Sequence, residues 1–106
     1  MIVRIWHGWT TPENAPEYER LVTEEVVPGI ADMAGEGYEG YELARREHDG
    51  DRIEYVTLTR FASWEALRRF AGDDYEEAHV PPKARELLAD FDERASHYEI
   101  RDGESN

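Results

Sequence analysis

Two histidines and four aromatic residues are the side chains of this sequence best suited to chemistry. His79 stands immediately before Val80-Pro81-Pro82, and His7 lies within the run Ile2-Val3-Arg4-Ile5-Trp6-His7-Gly8-Trp9. An imidazole changes charge near neutral pH, so either ring can take a proton from a phenol or an activated carbon. Each also has a plain structural use. A histidine closing a helix sits well against the negative end of the helix dipole, and one in mid-strand commonly finds a hydrogen-bond partner in the sheet. Trp9, Trp64, Phe70 and Tyr75 offer either the wall of a pocket for a flat aromatic ligand or ordinary core. His48, beside a turn signal, reads as solvated, and His97, near the chain end, as a residue of a sheet edge or subunit contact.

Other chemistries find no support. With zero cysteines the sequence has no disulfide framework, no thiolate metal site and no cysteine nucleophile. The histidines lack the spacing and the carboxylate companions of a metal site. There is no glycine-rich phosphate loop and no nucleophile elbow. The expectation is a protein without metal or any tightly held cofactor.

The elements that must position these residues follow from period and punctuation. Ile2 to Trp9 alternates as a strand with apolar residues on both faces. Asn14 and Glu17 have capping-box spacing ahead of a helix from Ala15 to Val26, which Pro28 should kink or restart. Ala34 to Gly37 ends that segment. Tyr38 to His48 reads as a second strand, and Asp49-Gly50 as a hairpin turn into a third, Arg52 to Phe61. Ser63 is a good N-cap for a helix striped by Trp64, Leu67 and Phe70 or Ala71. A second helical piece is expected to carry Tyr75, Ala78 and His79 until the prolines stop it. Ala84, Leu87, Leu88 and Phe91 then mark a short third helix, and Ala95 to Arg101 a final strand. The polar stretch 102–106 is a tail to the domain spanning 1–101.

The order β-α-β-β-α-(α)-β is that of a ferredoxin-like α+β fold, with helices on one face of an antiparallel sheet. Helices can cover one face only, yet Ile53 and Tyr55 on one side and Val56 and Leu58 on the other ask for two covers. A second copy of the sheet would supply the other, so a homodimer is expected.

Composition limits the partners. The formal net charge is −13, from 25 acidic and 12 basic residues, of which Lys83 is the one lysine. Nucleic acid and anionic membrane surfaces are poor partners for such a chain. No apolar run is long enough to span a bilayer, and the start has no signal-peptide shape, so a cytoplasmic location is expected.

The segments RIWHGWT, VTLTRFASWEALRRFAG, AHVPPKA and SHYEI together resemble the antibiotic-biosynthesis-monooxygenase (ABM) superfamily of small dimeric α+β barrels. The resemblance implies two sheets meeting face to face in a dimer, with one pocket per subunit between sheet and helices. It implies as activity a cofactor-independent monooxygenation of a small aromatic, a quinol or an anthrone, with His79 or His7 as base and Trp9, Trp64 and Phe70 holding the ring. A non-catalytic dimeric barrel that binds a small apolar ligand, or serves a stress or regulatory role, is the alternative. A haem-degrading branch uses an asparagine on the first strand, a tryptophan on the second helix and a histidine downstream. Here His7, Phe70 and His79 stand near those places, and the histidine alone matches. The broken helix around Pro81-Pro82 makes the segment beside His79 a candidate gate.

Overall fold

The computed structural model describes residues 1–104. Strand β1, Ile2–Thr10, is the middle of the sheet. Helix α1, Ala15–Leu21, passes through a π-helical turn, Val22–Val26, into α2, Val27–Ala34. A short turn of 3₁₀ helix leads into β2, Tyr38–His48, which pairs antiparallel with β3, Arg52–Phe61. Then come α3, Trp64–Ala71, α4, Pro82–Leu87, and two short strands, β4, Leu88–Phe91, and β5, Ser96–Glu99. The sheet order is β2-β3-β1, with β4 and β5 both antiparallel to the free side of β1. This is the expected α+β, ferredoxin-like arrangement.

Alternation along β1 and β3 divides the sheet. Ile2, Arg4, Trp6, Gly8 and Thr10 pair across with Phe61, Thr59, Thr57, Tyr55 and Ile53, and this face meets the helices. Phe61 and Leu67 are fully buried there, with Ile30, Ala34 and Ala66 around them; Tyr18, Leu21, Val22, Ile53 and Tyr55 form a second cluster. Burying side chains as large as Phe61 or Leu67 stabilises a fold by about 1.5–3 kcal/mol each. At Gly37 a Cβ would stand 2.1 Å from the Cβ of Ala66, so α3 packs straight onto backbone. The opposite face carries Val3, Ile5, His7 and Trp9 beside Glu54, Val56 and Leu58, all only partly buried.

Several local expectations hold. Gly50 turns the β2–β3 hairpin at φ 82, and the Ser63 hydroxyl accepts the Ala66 amide at 3.2 Å. Others are corrected. Asn14 precedes α1 without a side-chain cap, because its amide donates instead to the Leu87 carbonyl at 3.3 Å. Pro28 restarts the helical run, as expected: it falls in the first turn of α2, after a π turn in which the Val27 amide reaches back to the Val22 carbonyl.

The helical piece expected around Tyr75, Ala78 and His79 does not form. Gly72, at φ 82, ends α3, and residues 72–81 are tied to a distant segment by Ala78 amide to Glu93 carbonyl and Ala95 amide to Glu76 carbonyl bonds. The expected third helix stops at Leu87, where pairing with β1 draws Leu88–Phe91 into a strand. Of the tail, 102–104 have no regular structure; 105 and 106 lie outside the described residues.

Candidate functional site

Between the helix-facing side of the sheet and the helices lies a cavity of about 70 Å³. At about 30 Å³ per water, its share of the liquid, this is room for about two waters, and less than the roughly 150 Å³ of a cavity that encloses benzene. Its floor is Arg4 and Trp6 of β1 with Thr57 and Thr59 of β3. Its helical wall is Tyr18, Val22, Val26 and Ile30, two of them from the π turn. Phe70 of α3 and Ala78, His79, Val80 and Pro81 of the irregular segment close the mouth.

His79 is solvent-exposed overall but borders this cavity. Its Nε2 lies 2.9 Å from the Ala71 carbonyl. A carbonyl only accepts, so Nε2 carries the proton and Nδ1 is the basic nitrogen of the neutral ring. The Phe70 ring meets it edge-on, with centroids 5.7 Å apart.

The remaining polar group of consequence is Arg4, 6% exposed. It donates through Nη1 to the Tyr75 carbonyl at 2.6 Å and to Nε2 of His97 at 3.0 Å, and through Nη2 to the Glu77 carbonyl at 3.3 Å. Its guanidinium carbon also lies 5.3 Å from the centre of the Phe70 ring. Burial pushes its pKa down to about 10, which leaves it charged at neutral pH. Trp6 donates its indole N–H to the Asp92 carbonyl at 2.7 Å and presents an apolar ring.

Of the residues singled out from sequence, His79 and Phe70 meet at the cavity. Trp64 and Tyr75 do not line it. They pack on each other at 5.4 Å and against His97, behind Arg4. His7 and Trp9 lie on the opposite sheet face because they occupy the odd positions of β1. There His7 Nδ1 and His48 Nε2 each stand 2.7 Å from one carboxylate oxygen of Glu54, and Trp9 stacks on His7. The two histidine bonds hold the Glu54 pKa below its usual value. Arg4, Trp6, Thr57 and Thr59 were missed; the one signal was a lone charge in the series Ile2-Arg4-Trp6-Gly8. Among the described residues no three His, Asp or Glu side chains gather as a metal site would require, and no helix is long and apolar enough to cross a membrane.

No protein-family model and no curated protein sequence matches the chain. Solved structures do. A Bacillus cereus protein assigned provisionally to the antibiotic biosynthesis monooxygenases superposes with a TM-score of 0.66 at 13% identity, over 99% of this chain and 95% of that one. SnoaB, a cofactor-independent oxygenase from Streptomyces nogalater, gives 0.61 at 19%, over 96% and 95%. The haem degrader MhuD from Mycobacterium tuberculosis, with two haems in its active site, gives 0.62 at 21%, over 99% and 100%. These likenesses define the fold: the chain has the α+β, ferredoxin-like fold that these structures share.

As it stands the cavity is several times smaller than a porphyrin, and the Nε2 of His79 is engaged by a backbone carbonyl.

Proposed function

We infer that the cavity is the substrate site of a cofactor-independent monooxygenase acting on a small electron-rich aromatic of the quinol or anthrone type, with His79 as general base. The observation that carries this reading is the placement of His79. Its Nε2–H is anchored on the Ala71 carbonyl beside the Phe70 ring, which leaves Nδ1 unprotonated on a side chain that borders a largely apolar space. A substrate that loses a proton to this nitrogen becomes a carbanion or phenolate able to pass an electron to O₂. Recombination of the two radicals forms a carbon–oxygen bond, and loss of water from the peroxide leaves a carbonyl. For an anthrone the sum is one CH₂ and one O₂ giving one C=O and one H₂O. Dry walls and polar groups that stabilise the developing oxyanion complete the requirements. The likeness to SnoaB supports this reading, although fold by itself does not assign chemistry.

The size of the cavity orders the substrates. A one-ring quinol asks for a small opening at the mouth. A three-ring anthrone needs residues 72–81 to move, and this segment, irregular and continued by Pro81 at the cavity edge, is the gate of the proposal. The second face of the sheet belongs to assembly. Val3, Ile5, Val56 and Leu58, together with Tyr98 at 57% exposure, form an apolar surface that the chain's own helices leave bare. A second copy of the chain covers it in this reading, giving a homodimer with one pocket per subunit.

A non-catalytic barrel binding a small apolar ligand has one observation in its favour. The carbonyl that His79 holds is that of Ala71, the last residue of α3, so the ring also serves as an ordinary helix-end partner. Oxygen uptake over a panel of quinols and anthrones separates the two. The oxygenase reading requires uptake by the unaltered protein and a fall of about 100-fold or more in His79→Ala. Ligand binding with no uptake on any member of the panel leaves the binding module.

A further inference from the structure

Arg4 is a cation in a place where cations are seldom left alone. Buried charges are as a rule paired with an opposite charge, because withdrawal from water is costly. Every partner of Arg4 is neutral: the Tyr75 and Glu77 carbonyls and the His97 ring. Burial is what shifts its titration. The His97 ring is held neutral, its pKa lowered to about 4 by burial and then by Arg4 itself.

The donor count adds to this. A guanidinium has five N–H groups in a fixed plane. Three are used: both on Nη1, and one on Nη2. The second N–H of Nη2 and that of Nε have no bond to the described residues, and Arg4 is part of the cavity floor. Its cross-strand neighbour Thr59, 2% exposed, and Thr57, opposite Trp6, bring hydroxyls to the same floor. Uncommitted donors on a full positive charge, at the bottom of an apolar cavity, are half of an ion pair.

We propose that the cavity takes aromatic ligands bearing an anionic oxygen, a phenolate, an enolate or a carboxylate, and that Arg4 selects them. The proposal rests on reading the cavity as the ligand site, and it narrows the substrate class. A quinol or anthrone ionised by His79 places new negative charge on oxygen, and Arg4 is the group that receives it. The net charge of −13 repels anions in general, so a preference for them inside the cavity has to come from a local cation.

Calorimetric titration of four one-ring probes tests this at moderate salt, where long-range repulsion is screened. 4-Nitrophenol near and above its ionisation midpoint supplies a phenolate and 4-nitrobenzoate a carboxylate; nitrobenzene and 4-nitrobenzamide are neutral counterparts. We expect the anions to bind about ten-fold or more tightly than the neutral probes. The yellow phenolate band should show bound nitrophenol ionising at lower pH than free. Arg4→Gln should remove both effects. Preference for one anion alone identifies whether phenolate or carboxylate is the source and still supports the proposal. Equal affinity for anions and neutrals on the unaltered protein, a comparison that needs no variant, overturns it while leaving the cavity a ligand site; Arg4 is then only a tie for residues 72–81. Binding by none of the four overturns the cavity reading and the proposal with it.

Discussion

His97 shows how a single ring can govern behaviour in acid. Its Nε2 accepts from Arg4, so Nδ1 carries the hydrogen, and that atom is buried without a partner among the described residues. Burial first, and the adjacent Arg4 charge second, lower its pKa from 6.5 to about 4, with Glu76 pulling weakly the other way. Between those two values the unfolded chain binds a proton that the folded chain refuses. Stability therefore rises with pH across the interval and is lost as pH falls from 6.5 toward 4. His97→Gln keeps an acceptor for Arg4 but cannot titrate. Urea unfolding at several pH values should show a flatter slope for the variant over this interval; an unchanged slope assigns the acid sensitivity to other groups. At this scale the sequence was legible only in part. Alternation sorted Arg4 and Trp6 from His7 and Trp9, but both series hold apolar residues, so nothing local told which one met the helices. A shift of one position exchanges the faces of a strand, and the choice was made by pairing with β3 and by the helices above it.

Elements were readable where the signal was local. Ser63 caps α3 as its position requires, and Asp49-Gly50 turns the hairpin. Removing the cap in Ser63→Ala should cost about 0.5–2 kcal/mol in chemical denaturation; a change well below that range would mean the α3 end is held by packing of Ala66 and Leu67 alone. Elements were unreadable where distant pairing won. Tyr75, Ala78 and His79 have helical spacing, but bonds to the segment around residues 93–95 hold them extended or turned. Leu87 and Leu88 fit a helix stripe equally well, until the register Thr10 with Leu88 and Gly8 with Phe91 makes a strand of the second. For the site this mattered most, since the mouth of the cavity is built from that irregular stretch.

For the whole molecule the fold class was legible from element order, and the sheet face that the helices leave uncovered from the two apolar faces of β3. A charged residue at the centre of the open face tests the cover directly. Leu58→Lys should halve the mass seen by light scattering and leave the helix-side core intact by circular dichroism. A monomeric mass for the unaltered protein at both low and high salt would remove the sheet-to-sheet dimer. With a formal charge of −13 on each copy, association should strengthen as salt screens the repulsion.

The π turn between α1 and α2 also sets the bookkeeping of chain length. A helix advances by about 100° for each residue, and the wider ring at Val22–Val26 absorbs one residue that a regular helix would have to place elsewhere. Loss of one residue there, Glu25 for example, would close the ring into regular α-helix and leave the faces before and after it in phase. Val27 would stay turned inward with Val22, and Ile30 and Ala34 toward Phe61 and Leu67. The turn is therefore a place where the chain can shorten by one residue without re-aiming either helix. A loss elsewhere along α1 or α2 has no such slack and would turn the later residues by about 100°.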